Sequence, residues 1–261
     1  MLSDSRQIAV FNETYKLHSN NSQLAELKAE LDGNKKSNFE SIEDADIYDM
    51  RSYPRNCAEA KSSGVYEIRI PSYSRHSFRV TCDADTRGGN WTIILQRLDG
   101  SENFYRNWNT YKKGFGNLEG EFFLGLDKIH ALTADYSQEL LVILEDPDGT
   151  EAFETYDRFG ISDEDEEYAL NTLGKASGTA GNSLEYHKTM KFSTYDRDND
   201  NWVAGNCAAR STGAWWYNDC HNCNLAGKYD DKADGKGVNW WPFRSKVTSL
   251  KRAIMLIRPR K

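Results

Sequence analysis

The sequence predicts a mixed α+β domain with long loops, preceded by a short helical segment. Three observations carry this. From residue 53 onward, short apolar runs rich in β-branched and aromatic residues alternate with Gly and Asp, the pattern of strands. Residues 174–237 show almost no hydrophobic periodicity, and loops of that length are functional or held by staples. Residues 1–50, in contrast, contain no Trp, Cys or Pro and a single Gly.

Taken in chain order, Val10, Leu17, Leu24 and Leu31 recur every seven residues, with Leu27 between them. QLAELKAEL (23–31) consists of good helix formers, and Asp32, Gly33 and Asn34 then stop the helix. Residues 1–34 are therefore either a fraying amphipathic helix or the stub of a coiled coil that makes a homo-oligomer. Residues 35–52 read as a polar, acidic linker, and 53–261 as one domain. Its expected strands are GVYEIRI (64–70), SFRVTC (77–82), NWTIIL (90–95), LLVILE (140–145) and IMLIRP (254–259). Residues 117–133 and 162–172 are expected to be partly helical.

Composition excludes several classes. The 261 residues hold 33 basic and 40 acidic side chains, a net charge of −7, which argues against nucleic-acid binding through a basic face. No run approaches the roughly 18 apolar residues of a membrane helix. With 14 Tyr, 7 Trp and 11 Phe the chain is too aromatic to be disordered. Charge is uneven: residues 145–167 carry eleven acids and one base, Arg158, whereas 244–261 carry seven bases and no acid. The acidic stretch reads as solvated loops, with a docking surface or cation trap as the alternative.

The five cysteines, Cys57, Cys82, Cys207, Cys220 and Cys223, make two pairs and one left over. Disulfides call for an oxidising compartment. The sequons at Asn12, Asn20 and Asn90 agree with a secreted glycoprotein, although residues 1–10 show no apolar signal region. Cys220-His221-Asn222-Cys223 has three readings. A thioredoxin-like pair should open a helix, but a Gly/Asp-rich loop follows. A zinc site using Cys207, Cys220, Cys223 and His221 meets awkward geometry at the adjacent Cys220 and His221. A Cys207–Cys220 bridge closing a short loop is favoured, stabilising by roughly 3 kcal/mol on chain-entropy grounds.

YDRDNDNW (195–202) is the strongest chemical signal. Alternating Asp side chains can converge on Ca²⁺, which takes six to eight oxygen ligands. The segment is not an EF-hand, because Asn201 stands where that loop needs Gly and Cys207 where it needs Glu. A different calcium loop with Asp198 and Asp200 as carboxylate ligands competes with an Asn/Asp-rich turn.

At this point many ordered motifs match one family. NCAEA and SGVYEI (56–68), TCDADTRGGNWTIILQR (81–97), DGSENFYRNW (99–108), YKKGFGNLEGEFFLGL (111–126), AGNSLEYH (180–187), KFSTYDRDND (191–200), GAWWYNDCHNCNLAGKY (213–229) and GVNWW (237–241) resemble the fibrinogen-related C-terminal domain. That domain occurs in fibrinogen chains, ficolins, tachylectins, angiopoietins and tenascins. The resemblance covers residues 53–259. It implies an α+β fold of three subdomains with mixed or antiparallel sheets, short helices and long loops held by disulfides and calcium. It further implies bridges Cys57–Cys82 and Cys207–Cys220, and Ca²⁺ on Asp198 and Asp200 with the carbonyls of Trp202 and Ala204.

The family's ligand pocket lies beside the calcium loop. The resemblance implies a cis Asp219–Cys220 peptide that aims the N–H groups of Cys220 and His221 at an acetyl carbonyl or carboxylate. Tyr217, Tyr229 and Trp240 flank this region and are the candidate aromatic walls, whereas Trp91, Trp108, Trp215 and Trp216 are expected in the core. His130 and His187 are expected to be structural. Ser211, Thr248, Asn182, Cys223 and Ala226 depart from the family pattern, which points to a shallower or more polar pocket. Asp219 adds negative charge at its mouth, and Arg210 opposes it.

The expected function is thus a secreted, calcium-stabilised, lectin-like module of innate defence that binds acetylated sugars or glycans. The alternative is a signalling or adhesion ligand that binds a cell-surface receptor protein through the same face. No enzyme is expected, because no nucleophile elbow, zinc-protease or phosphate-loop motif occurs.

Overall fold

The apolar runs pair into one antiparallel sheet. The computed structural model describes residues 53–260, so the expected helix and linker lie outside the described residues. The main path of the sheet is β1 (Gly64–Ile68), β2 (Phe78–Asp83), β3 (Trp91–Arg97), β12 (Arg252–Pro259), β6 (Gln138–Glu145), β7 (Glu151–Gly160) and β8 (Thr172–Leu173). The near-continuous apolar runs of β3 and β6 follow from their place inside the sheet, where most of their residues are buried. The last strand in the chain, β12, slots between β3 and β6 and buries Ala253, Met255, Leu256 and Ile257.

Short elements complete the fold. β4 (Phe115–Gly116) and β5 (Phe122–Phe123) form a hairpin whose second strand pairs with β3, and β9 (Ala176–Gly178) pairs with β7. β10 (Cys223–Asn224) and β11 (Asn239–Trp240) form a separate two-stranded sheet. Helix α1 (Trp108–Lys113) starts at Asn107, whose side chain accepts the Thr110 N–H at 3.0 Å. Helix α2 (Leu126–Asp135) buries Leu126, Ile129, Ala131 and Leu132, spaced as one apolar face. Helix α3 (Cys207–Ser211) is capped by Asn206, which accepts the Ala209 N–H at 2.8 Å. Among the described residues no helix is long and apolar enough to cross a membrane.

Two expectations need correction. Residues 162–172 form turns and the start of β8 instead of a helix, because crowded like charges at 163–167 do not sustain one. The acidic stretch is only partly loop: residues 146–150 and 161–167 lie in turns and irregular backbone, but β7 runs between them. Its charge meets the basic C-terminal segment across the sheet. Arg252 bonds Glu145 at 3.0 Å and also pairs with Glu151. Lys251 reaches Glu145 and Arg258 reaches Glu139, both at 2.6 Å, and Arg244 reaches Asp146 at 2.5 Å. The start of the acidic run and the basic tail thus share ion pairs, while Glu164 and Glu167 pair instead with Lys112, Lys191 and Arg197.

Cys57–Cys82 and Cys207–Cys220 are bonded, each with Cα atoms 5.4 Å apart. Cys223 is free and buried. Trp91, Trp108, Trp215 and Trp216 lie in the core as expected.

Candidate functional site

The Cys207–Cys220 bridge ties two irregular segments into one platform. On the first, Asp200 accepts the Trp202 N–H at 2.9 Å through one carboxylate oxygen and the Cys207 N–H at 2.8 Å through the other. On the second, the Asn218 N–H reaches the Cys220 carbonyl at 2.8 Å, and the Tyr186 hydroxyl donates to the Asp219 carbonyl at 2.8 Å. Asn201 joins the two: its N–H bonds the Asn218 carbonyl at 3.1 Å and its side chain bonds the Asn218 amide oxygen at 2.9 Å. The Asp219–Cys220 peptide is cis, as expected.

Asp198 is exposed and Asp200 half-buried. Burial, with Asp198 hydrogen-bonded beside it, pushes the Asp200 carboxyl up to about 6. Two carboxylates sharing one site in this way suit a hard cation, whose charge removes their repulsion. Among the described residues no three His, Cys, Asp or Glu side chains converge on a metal-sized site, so backbone carbonyls would have to complete any shell. The Trp202 carbonyl already accepts the Gly205 N–H at 3.1 Å.

A cleft of about 370 Å³ opens beside this loop, lined by Trp202, Arg210, Asp219, Cys220, His221, Asp234, Gly235 and Lys246. Its charges balance: Arg210 stands 3.9 Å from Asp234, while Asp219 and Lys246 have no ion pair among the described residues. Neither the Cys220 nor the His221 N–H donates to another described residue. Two residues of the lining therefore carry backbone donors without an acceptor among the described residues. The side chains next to the lining add apolar surface, with Val203 fully exposed and Val247 half-exposed.

Two neutral histidines hold the floor. His187 is wholly buried; its Nδ1 donates to the Trp216 carbonyl at 2.7 Å, and its Nε2 accepts the N–H groups of Asn222 and Cys223, both at 3.2 Å. Burial lowers its pKa to about 3. His221 donates from Nε2 to the Gly235 carbonyl at 3.0 Å, and burial followed by the Lys246 charge lowers it to about 4. Burial pushes the Cys223 thiol well up, so it stays protonated.

The structure brings Trp202, Arg210, Asp219, Cys220 and His221 together and leaves other expected residues aside. Tyr217 and Trp240 are wholly buried and line no part of the cleft: the Tyr217 hydroxyl bonds Asn224 at 2.8 Å and the Trp240 indole bonds the Gly181 carbonyl at 2.9 Å. Ser211 is buried beneath the cleft. Tyr229 is turned to the sheet side, where its hydroxyl bonds the carbonyls of Leu98 and Lys251, both at 2.9 Å. Sequence reasoning missed Asp234, Gly235 and Lys246. The first two sit in an aperiodic Gly/Asp loop, and Lys246 is hidden in a basic run.

Residues 53–260 match the family described as fibrinogen beta and gamma chains, C-terminal globular domain. Curated relatives include mouse tenascin, 42% identical over 79% of this chain and 10% of its own length. Human angiopoietin-related protein 6 is 43% identical over 79% of this chain and 45% of its length. The chain thus spans less than half of these relatives. Among solved structures, the fibrinogen-like globe domain of human ANGPTL6 gives a TM-score of 0.75 at 42% identity, covering 80% of this chain and 96% of that one. Lamprey fibrin D-dimer, complexed with the peptide ligand Gly-His-Arg-Pro-amide, gives 0.74 at 28% identity, covering 98% of this chain and 92% of that one. Relatives of the angiopoietin-related and tenascin kind fit the receptor- or adhesion-ligand expectation better than the lectin-like one.

Proposed function

This chain belongs to the family of fibrinogen C-terminal globular domains, and we propose that it is an extracellular recognition module, a signalling or adhesion ligand that grips a cell-surface protein through the cleft. One observation carries this reading: two residues of the cleft lining carry unused backbone N–H donors, among side chains bearing both charges. A protein segment supplies carbonyls, carboxylates and cations together, whereas a neutral acetyl group uses only the donors. Trp202 is the one Phe, Tyr or Trp in the lining, so an acetyl methyl finds little wall. Exposed Val203 and Val247 add the apolar contact usual at protein interfaces. The two disulfides support a secreted location.

Calcium belongs to the same proposal. Asp198 and Asp200, with the carbonyls of Trp202 and Ala204, would hold the ion, and its charge would neutralise the acidic pair. The Asp200–Cys207 and Asn201–Asn218 bonds then pass this ordering to the cleft.

The test is retention of the chain on receptor-bearing cells. Proteolysis of the cell surface and Lys246→Glu should each abolish retention, and free N-acetylated sugar should leave it unchanged. Competition by the sugar, with survival after proteolysis, would replace this reading with the glycan one.

A further inference from the structure

We propose that a second groove, between β2, the β4–β5 hairpin and the start of α2, docks an acidic peptide segment that carries an apolar side chain. It encloses about 310 Å³ and shares no lining residue with the cleft. Phe115, Leu118, Phe123 and Leu124 make its apolar surface, and Arg79 and Lys128 stand at its rim.

The apolar surface is held in place before any partner arrives. Phe115 is wedged edge-on against Phe104 and Tyr111, with ring centroids 5.1 and 5.0 Å away. Gly114 and Gly116 have φ of +89° and +92°, and a Cβ on them would come within 2.2 Å of the Leu124 carbonyl oxygen and 2.3 Å of that of Glu121. The hairpin backbone is thus locked against its neighbours. A preformed apolar hollow binds without the entropy cost of assembling it.

The rim is positive, and carboxylates lie near it only outside the lining. Lys128 donates from Nζ to the carbonyls of Lys113 at 2.6 Å and Leu124 at 3.2 Å, contacts that orient the ammonium without cancelling its charge. Arg79 is exposed, and among the described residues neither Arg79, Lys113 nor Lys128 forms an ion pair. No acid lines the groove. Glu67 faces Arg79 in the β1–β2 register and accepts the Ser77 hydroxyl at 2.9 Å, and Asp127 beside Lys128 accepts the Tyr168 hydroxyl; both carboxylates lie outside the lining and neither forms an ion pair with the rim cations. An apolar hollow with unpaired cations selects an apolar side chain flanked by carboxylates. A concave hollow of about 310 Å³ takes side chains that project from a backbone, which a peptide presents and a flat anionic lipid surface does not.

The experiment titrates the full chain with a labelled, end-capped peptide that alternates Glu with Phe and Leu. Wild type should bind, with affinity falling as salt rises, while the same peptide with Lys in place of Glu should not. Arg79→Glu and Lys128→Gln should each weaken binding about tenfold or more. Arg79 is an exposed rim residue, so that variant, with its fold checked by thermal unfolding because Glu67 lies opposite, decides if Lys128→Gln loses stability. Arg79→Glu should also leave retention through the cleft intact, so the two sites fail separately. Unchanged peptide binding by Arg79→Glu, equal binding of the Lys peptide, or retention only on vesicles of phosphatidylcholine with phosphatidylserine would each overturn the proposal.

Discussion

The sheet and the loop region that precedes its last strand are both well buried, but they are held differently. In the sheet, hydrogen-bond ladders and cross-strand ion pairs repeat, so the loss of one side chain leaves many equivalent neighbours. Residues 179–250 hold only short elements, and there one side chain often satisfies several backbone groups. His187 alone serves three. Stability in the loop region therefore rests on single polar residues, and the candidate cleft lies in that region.

That contrast can be broken at His187. His187→Ala would orphan one carbonyl and two N–H groups in the core and leave a cavity, costing about 3–5 kcal/mol by denaturant unfolding. A cost below about 1 kcal/mol would remove the distinction between the two regions.

Acid should find the same weakness. Both histidines have folded pKa values below the ordinary 6.5, so their contribution is complete above pH 6.5 and is lost as pH falls toward about 4 for His221 and about 3 for His187. Each should cost about a factor of ten in the folding equilibrium per pH unit in that window. His187→Ala and His221→Ala should flatten the measured slope. Glu154 on β7 acts in the opposite sense, because burial raises its folded pKa above 4.5. Its contribution is complete below that value and is lost as pH rises through the folded pKa, so Glu154→Gln should gain most at neutral pH.

The next effect is calcium. Saturating ion should raise the melting temperature, by about 2.7 kcal/mol of stability at a hundredfold excess over Kd. EDTA or Asp198→Ala should remove that gain and weaken cell retention together. The smallest effect belongs to the sheet. Arg258→Ala loses the pair with Glu139 and the stacking over Trp91 at 4.0 Å, a change of about 1 kcal/mol.

Much of the sheet was legible because β1, β2, β3, β6 and β12 carry local apolar patterns. β7 was not, since Glu154 points inward between Ala152 and Tyr156 and breaks the alternation that identifies a strand. In the candidate site, Asp219, Cys220 and His221 were legible through a motif. Tyr217 and Trp240 misled because closeness in sequence to the cysteine loop does not say which way a side chain points, and both point into the core. The glycan reading leaned on such aromatic walls, and the relatives fit the signalling- or adhesion-ligand expectation better.

By itself the sequence determined the family, the central strands and the five cysteines available for pairing, because apolar period and ordered motifs are local properties of the chain. Tertiary structure decided that the start of the acidic run pairs with the basic tail, since the sheet register sets Arg252 on Glu145, 107 positions away. It also decided the cleft: Arg210, Asp219, Asp234 and Lys246 share no periodicity and meet only where the disulfide and the buried histidines fold their loops together.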